Sequence, residues 1–193
     1  MQLEPAVLEN RFVRLEPMTE AHREGFRAAC EADPATWRDL YPYGMIGEDF
    51  DAGWARFYAS PGPDRMNFAV MVGGACVGAS SYLGVEPRDK VLEIGGTYYR
   101  PEARGGAVNP ATKRLMLAHA FEAGVRRVQF KVDAINTRSR AAVLKLGATQ
   151  EGLFRQDRLT WTGRVRDTVF FSILADEWPA VRDRLDARLA AMA

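Results

Sequence analysis

The sequence predicts a mixed α/β fold, one sheet of parallel and antiparallel strands with helices on both faces. Three observations carry this. The apolar runs Met66–Val72 and Ala75–Val85 flank Gly73-Gly74, a tight-turn pair, and Lys90–Tyr99 follows the turn Glu86-Pro87-Arg88-Asp89, which makes an antiparallel meander of three strands. Beyond it, two helix-patterned segments bracket the strand-like run Arg127–Val132. A second hairpin, over about 150–159 and 164–174, turns at Thr162-Gly163.

Each remaining element follows from local chemistry. Arg11–Glu16 alternates polar and apolar residues, as a half-buried first strand does, and Pro17 ends it. Thr19 is placed to cap a helix to about Ala32, with Ala21, Phe26, Ala29 and Cys30 on one stripe, and Asp33-Pro34 breaks it. Residues 35–63 read as a short helix, a loop and a helix over about 48–59, anchored by Trp37, Tyr41, Phe50, Trp54 and Tyr58. Asn109-Pro110 reads as a helix start, asparagine as the cap and proline at the first helical position, and Gly124 ends that helix. Val128, Phe130 and Val132 share one face of the next strand. Asn136–Leu146 is a helix closed by Gly147, and the last helix begins near Asp176, with Pro179 in its first turn.

The 193 residues are 47% hydrophobic and carry 26 basic against 25 acidic side chains. That suits one compact domain over residues 1–193, burying roughly 70% of its extended surface on folding. A net charge of +1, with arginines scattered among acids, gives no footprint for nucleic acid. Cys30 and Cys76 stand in unrelated contexts and suggest neither a metal site nor a disulfide. Met1–Leu8 lacks the apolar run of a signal peptide, and no stretch approaches 18 uncharged apolar residues, so the expectation is a cytoplasmic protein without a membrane partner.

The chemistry concentrates in Leu92–Pro110, a strand, a glycine-rich loop and a helix start. Such a junction presents unpaired backbone N–H groups at the positive end of a helix, and a diphosphate is their natural occupant. Gly105, Gly106 and Ala107 would let it approach closely, although neither the dinucleotide fingerprint nor the P-loop pattern is present. Glu93, on the strand leading into this loop, is the candidate base for an amine, with an ordinary exposed or ion-paired glutamate as the other reading.

The stretch Glu93–Gly152 resembles the GCN5-related N-acetyltransferase (GNAT) superfamily, in particular its ribosomal-protein N-acetyltransferase-like (RimJ/RimL-type) branch. The matching pieces are Glu93-Ile94-Gly95, Arg104-Gly105-Gly106-Ala107, Asn109, Lys113, His119–Glu122, Arg127-Val128, Val132–Ser139, Lys145-Leu146-Gly147 and Glu151-Gly152. The resemblance implies an acyl-CoA N-acyltransferase fold in which two parallel central strands, ending near Tyr98 and Val132, splay apart to admit acetyl-CoA. It implies a diphosphate on Arg104–Val108, the pantetheine arm along the backbone at Tyr98 and Tyr99, and cofactor contacts from Asn136 and Ser139. The implied reaction is direct transfer of acetyl to a primary amine, a protein N-terminus or a small molecule such as a polyamine, amino acid or antibiotic. Three positions depart from the family, one of them Ala148, where an aromatic residue commonly follows Gly147. Glu102 stands where glutamine or arginine is usual, and Val143 where many relatives carry a tyrosine acid, which motivates a third reading, a silent acyl-CoA-binding protein. An exposed sheet edge leaves a homodimer open.

Overall fold

The computed structural model describes residues 1–59 and 62–192. Among them, eight strands form a single sheet: β1 (Leu8–Glu9), β2 (Arg14–Pro17), β3 (Met66–Val72), β4 (Ala75–Glu86), β5 (Val91–Tyr99), β6 (Arg127–Asp133), β7 (Thr149–Leu159) and β8 (Val165–Leu174). Their order is β1-β2-β3-β4-β5-β6-β8-β7. Every neighbouring pair is antiparallel except β5 and β6, which run parallel because a helix returns the chain between them. The six helices are α1 (Arg23–Glu31), α2 (Pro34–Leu40), α3 (Asp49–Trp54), α4 (Val108–Glu122), α5 (Thr137–Leu146) and α6 (Trp178–Ala190). A π turn over Ala55–Ala59 extends α3.

Alternation along the strands divides the interior in two. Tyr82, Leu92, Ile94, Phe130 and Phe171 face α4, α5 and α6 and pack on Met116, Leu146 and Leu185. On the other face Ala79 and Tyr98 meet an aromatic cluster of Phe26, Trp37, Phe50, Trp54 and Tyr58 from α1–α3. Tyr98 and Tyr99 therefore point to opposite faces of one strand.

Two features of the sheet make a site. The parallel ladder holds only three pairs, Val91–Arg127, Leu92–Val128 and Glu93–Gln129, and beyond them β5 and β6 separate. Opposite β4, the pairing jumps from Ser81–Gly95 to Ala79–Tyr98, so Gly96 and Thr97 together face Ser80 in a β-bulge. Gly96 has φ +56°, a left-handed conformation that glycine adopts without strain.

Several local starts differ from the sequence expectation. Helix α4 begins at Val108 with Ala107 at its cap position and no side-chain cap, so Asn109 lies inside the first turn and does not cap. Pro110 is tolerated there because the first four N–H groups of a helix have no intrahelical acceptor. Thr19 caps a 3-10 turn, Glu20–His22, that precedes α1, through a capping box with His22. His22 also bonds Glu16 at 3.1 Å. The short β1 carries no alternation from which to read it.

Candidate active site

A cavity of about 890 Å³ opens where β5 and β6 part. It runs from the loop before α4, across the bulge, to the side chains of Tyr43, Arg56 and Arg65. Of the candidate catalytic and cofactor residues, Glu93, Tyr98, Tyr99, Arg104, Gly105, Gly106, Asn109, Asn136 and Ser139 lie along it, whereas Ala107 and Val108 continue the loop into α4.

At the loop end, Pro101–Ala103 forms a 3-10 turn, and the Arg104 N–H donates to Pro101 O at 3.1 Å. The Arg104 backbone is thus already paired, whereas the N–H groups of Gly105, Gly106, Ala107, Val108 and Asn109 have no partner among the described residues. A Cβ at Gly105 or Gly106 would meet nothing within 4 Å, so the space over these donors is open. The Arg104 guanidinium is held on the protein: it donates to Asp33 at 2.6 Å and to Tyr99 O at 2.7 Å, and lies over the Tyr98 ring. Glu102 turns outward to Arg100 at 2.8 Å, and that ion pair lowers its pKa. The acid next to the loop therefore faces solvent with its own cation.

The edge of β5 that β6 leaves is partly taken by side chains. The Tyr41 hydroxyl donates to Thr97 O, and Arg104 Nε to Tyr99 O. The side chains of Tyr98 and Tyr99 leave the cleft: the Tyr98 hydroxyl donates to Ala29 O at 2.9 Å, and the Tyr99 ring is buried on the opposite face. Of their carbonyls, that of Tyr99 already accepts from Arg104, and that of Tyr98 lies against Gly78 of β4. Across the cleft, Asn136 caps α5, its Oδ1 accepting the Ser139 N–H at 3.0 Å, and lines the cavity as well. Val143 lines the same wall and brings no hydroxyl.

At the bulge, Glu93 is 15% exposed and pairs with Lys131 Nζ at 3.0 Å, the two strands placing them on the same face as Tyr98. Under the bulge, from the other face, Lys113 reaches Ser80 Oγ at 3.0 Å and Thr97 Oγ1 at 2.6 Å. Only 5% of it is exposed, and burial draws its pKa down to about 7. Sequence reasoning noticed Lys113 but not its burial. The signal was there: Lys113, Met116, Leu117 and Ala120 stand at i, i+3, i+4 and i+7, the stripe that faces a core. Of the hairpin arginines, Arg164 bonds the buried Asp133, and Arg166 donates to Thr168 Oγ1 at 3.1 Å and lies 3.8 Å from Asp133, so these two are committed to the protein. Arg65 was not singled out, because nothing in its local sequence says that the turn before β3 folds back against the bulge.

The arrangement is a bent channel with donors for an anionic group at one end and a carboxylate–ammonium pair at the bulge. Comparison with known proteins gives the family of the chain. The family described as "Acetyltransferase (GNAT) domain" matches residues 13–149. The crystal structure of a "putative acetyltransferase" from T. thermophilus is similar over 98% of this chain and 100% of its own, at 36% identity and a TM-score of 0.85. Mycobacterium smegmatis RimJ in complex with CoA-disulfide shares the fold at a TM-score of 0.80 and 22% identity, over 95% of each chain. The "Putative ribosomal N-acetyltransferase YdaF" of Bacillus subtilis (strain 168) is 29% identical over 126 residues, 65% of this chain and 67% of that one.

Proposed function

This chain belongs to the GNAT acetyltransferase family, and from that premise we propose that it binds acetyl-CoA in the cleft between β5 and β6 and directs the acetyl group onto a primary amine. The observation that carries this reading is the parting of the two parallel strands after Glu93–Gln129, with an open loop of unpaired N–H groups at the mouth of the gap. Acetyl-CoA supplies an acetyl group already activated as a thioester. The N–H groups of residues 105–109, at the positive end of α4, suit its diphosphate. The free edge of β5 around Tyr98 and Tyr99 suits the pantetheine arm, and Asn136 and Ser139 flank the same channel from α5.

An alkylamine is mostly protonated near neutral pH and attacks only as the free base. Glu93 is the carboxylate on the acceptor face of the bulge. It takes up that proton, through water, while Lys131 fixes its orientation. Val143 brings no proton donor at its place on α5, so the departing thiolate takes its proton from water or another group. Likeness to RimJ and YdaF supports placing the chain in the branch that acts on ribosomal proteins, with a protein N-terminus as acceptor. A small-molecule acceptor is the second reading, favoured by the aromatic wall of Tyr41 and Tyr43 beside the bulge. We also propose that the chain works as one catalytic domain in the cytoplasm. Among the described residues no helix is long and apolar enough to cross a membrane.

The test is thiol release from acetyl-CoA in the presence of peptides, polyamines and amino acids, with calorimetry of acetyl-CoA binding. Gly106→Val should fold normally, since its side chain meets only open space, and should lose at least tenfold in affinity. Unchanged affinity in the folded variant would remove the loop from the site.

A further inference from the structure

The acceptor end of the channel carries two arginines, Arg56 and Arg65, beside Asp64 and Glu93. Arg65 stands at its centre. Arg65 Nε donates to Asn67 Oδ1 at 2.8 Å, and Asn67 is itself locked by the carbonyl of Phe57 and the hydroxyl of Ser81, each at 2.7 Å. The guanidinium lies against the rings of Phe57 and Tyr58, at 5.1 and 5.5 Å. These contacts fix its direction and leave Nη2 buried without a partner. The hydroxyl of Tyr43, also buried, lies beside the Arg65 guanidinium and the Tyr58 hydroxyl, without a hydrogen bond of ordinary geometry to either. Both converge on the bulge: the Cβ that Gly96 lacks would stand 3.4 Å from the Tyr43 hydroxyl and 3.6 Å from Arg65 Nη2. Among the described residues, no carboxylate lies within 4.0 Å of Arg65 or of Arg56, which lines the same end.

A buried charged donor without an acceptor is a costly feature for a fold to carry. A ligand oxygen relieves it, and a carboxylate suits a guanidinium best. One residue away, the Glu93 carboxylate lies against Gly95, 2.5 Å from where its Cβ would be. The bulge therefore offers a negative group and a positive group side by side on its acceptor face. We propose that the acceptor is an amine that also carries a carboxylate, its nitrogen toward Glu93 and its carboxylate received by Arg65 and the Tyr43 hydroxyl. This assignment rests on the acetyl-transfer reading and narrows it to acidic acceptors, against the polyamines that the same fold could otherwise serve.

Matched acceptors test it. C-terminally amidated hexapeptides beginning Ser-Asp and Ser-Asn differ in one carboxylate, as do glycine and glycinamide, and spermidine carries amines alone. Wild-type enzyme should favour the acid of at least one pair by roughly 10- to 100-fold in kcat/KM, the range of one hydrogen bond to a charged group. Which pair responds tells a peptide acceptor from a free amino acid. In Arg65→Met, whose stem still packs on Phe57 and Tyr58, that ratio should collapse toward unity, and Arg65→Lys should recover part of it. Preference for the amides or for spermidine, or an acid-to-amide ratio that survives in Arg65→Met, overturns the assignment and leaves acetyl transfer standing. Absence of thiol release with every amine, in enzyme that binds acetyl-CoA, overturns the transferase reading and this one with it.

Discussion

An ammonium group buried among hydroxyls, with no carboxylate to face, titrates differently in the folded and unfolded chain, and Lys113 is such a group. Folded, burial draws its pKa down to about 7; unfolded, it titrates near 10.4. Between these values the unfolded chain holds a proton that the folded chain has released, so stability rises with pH across that window. Below about pH 7 both states hold the proton and the contribution no longer changes. Urea unfolding at pH 7 and pH 9 should show a steeper rise for wild type than for Lys113→Met, which keeps the stem and lacks the charge. Equal slopes would mean that the amine is solvated after all. Glu93 makes the second prediction at this scale. Glu93→Gln keeps the shape and loses the base, so turnover should fall by roughly 10²–10⁴-fold, less where bulk water substitutes. The loss should shrink as pH rises and more amine arrives neutral, which a pH–rate comparison with wild type measures. A residue such as Glu93 could be read from the sequence because its candidacy needs only a carboxylate on the strand before the loop. Lys131, its partner at 3.0 Å, could not, because that contact exists only once β5 and β6 pair in register.

The elements around the site are held by close approaches that a methyl group would break. A Cβ at Gly78 would run into the Tyr98 carbonyl, where β4 and β5 pair just beyond the bulge. Gly78→Ala should therefore destabilise by about 1–3 kcal/mol, as overpacking does, and should weaken acetyl-CoA binding alongside. Asn136→Ala removes the cap of α5 and should cost about 0.5–2 kcal/mol in denaturant unfolding. A shift in acetyl-CoA affinity beyond that loss would separate ligand contact from capping. Turn chemistry made most elements legible. The strand Met66–Val72 ends where Gly73 and Gly74 both turn left-handed, and α5 ends at Gly147 with φ +99°. The start of α4 departs from the sequence reading for a physical reason: Asn109 and Pro110 each favour a first turn, and the chain places both inside it while Ala107 occupies the cap. A bulge near Gly95–Tyr98 is foreshadowed by the pair Gly95-Gly96, and the register against β4 fixes it between Ser81–Gly95 and Ala79–Tyr98.

The whole sheet is joined at its centre by three parallel pairs, with five strands on one side and three on the other. A ligand that bridges this gap binds the folded state alone and adds stability by mass action, about 2.7 kcal/mol at a concentration one hundred times its dissociation constant. Thermal unfolding with CoA should show that rise in wild type, and Gly106→Val should need correspondingly more CoA to reach it. Overall topology was readable because the order of helices and hairpins admits few sheets, whereas the depth of the central gap depends on where pairing stops. The same layout bears on how the chain is made. From β1 to β6 the strands lie side by side in the order in which a ribosome delivers them, so each finds its neighbour already in place. After β5, residues 100–126, with α4 among them, must emerge before β6 can arrive. Until then β5 is the open edge of an unfinished sheet, the kind of edge that recruits strands from other nascent chains. A bulge is one feature that turns an open edge away from such pairing, and β5 carries one at Gly96.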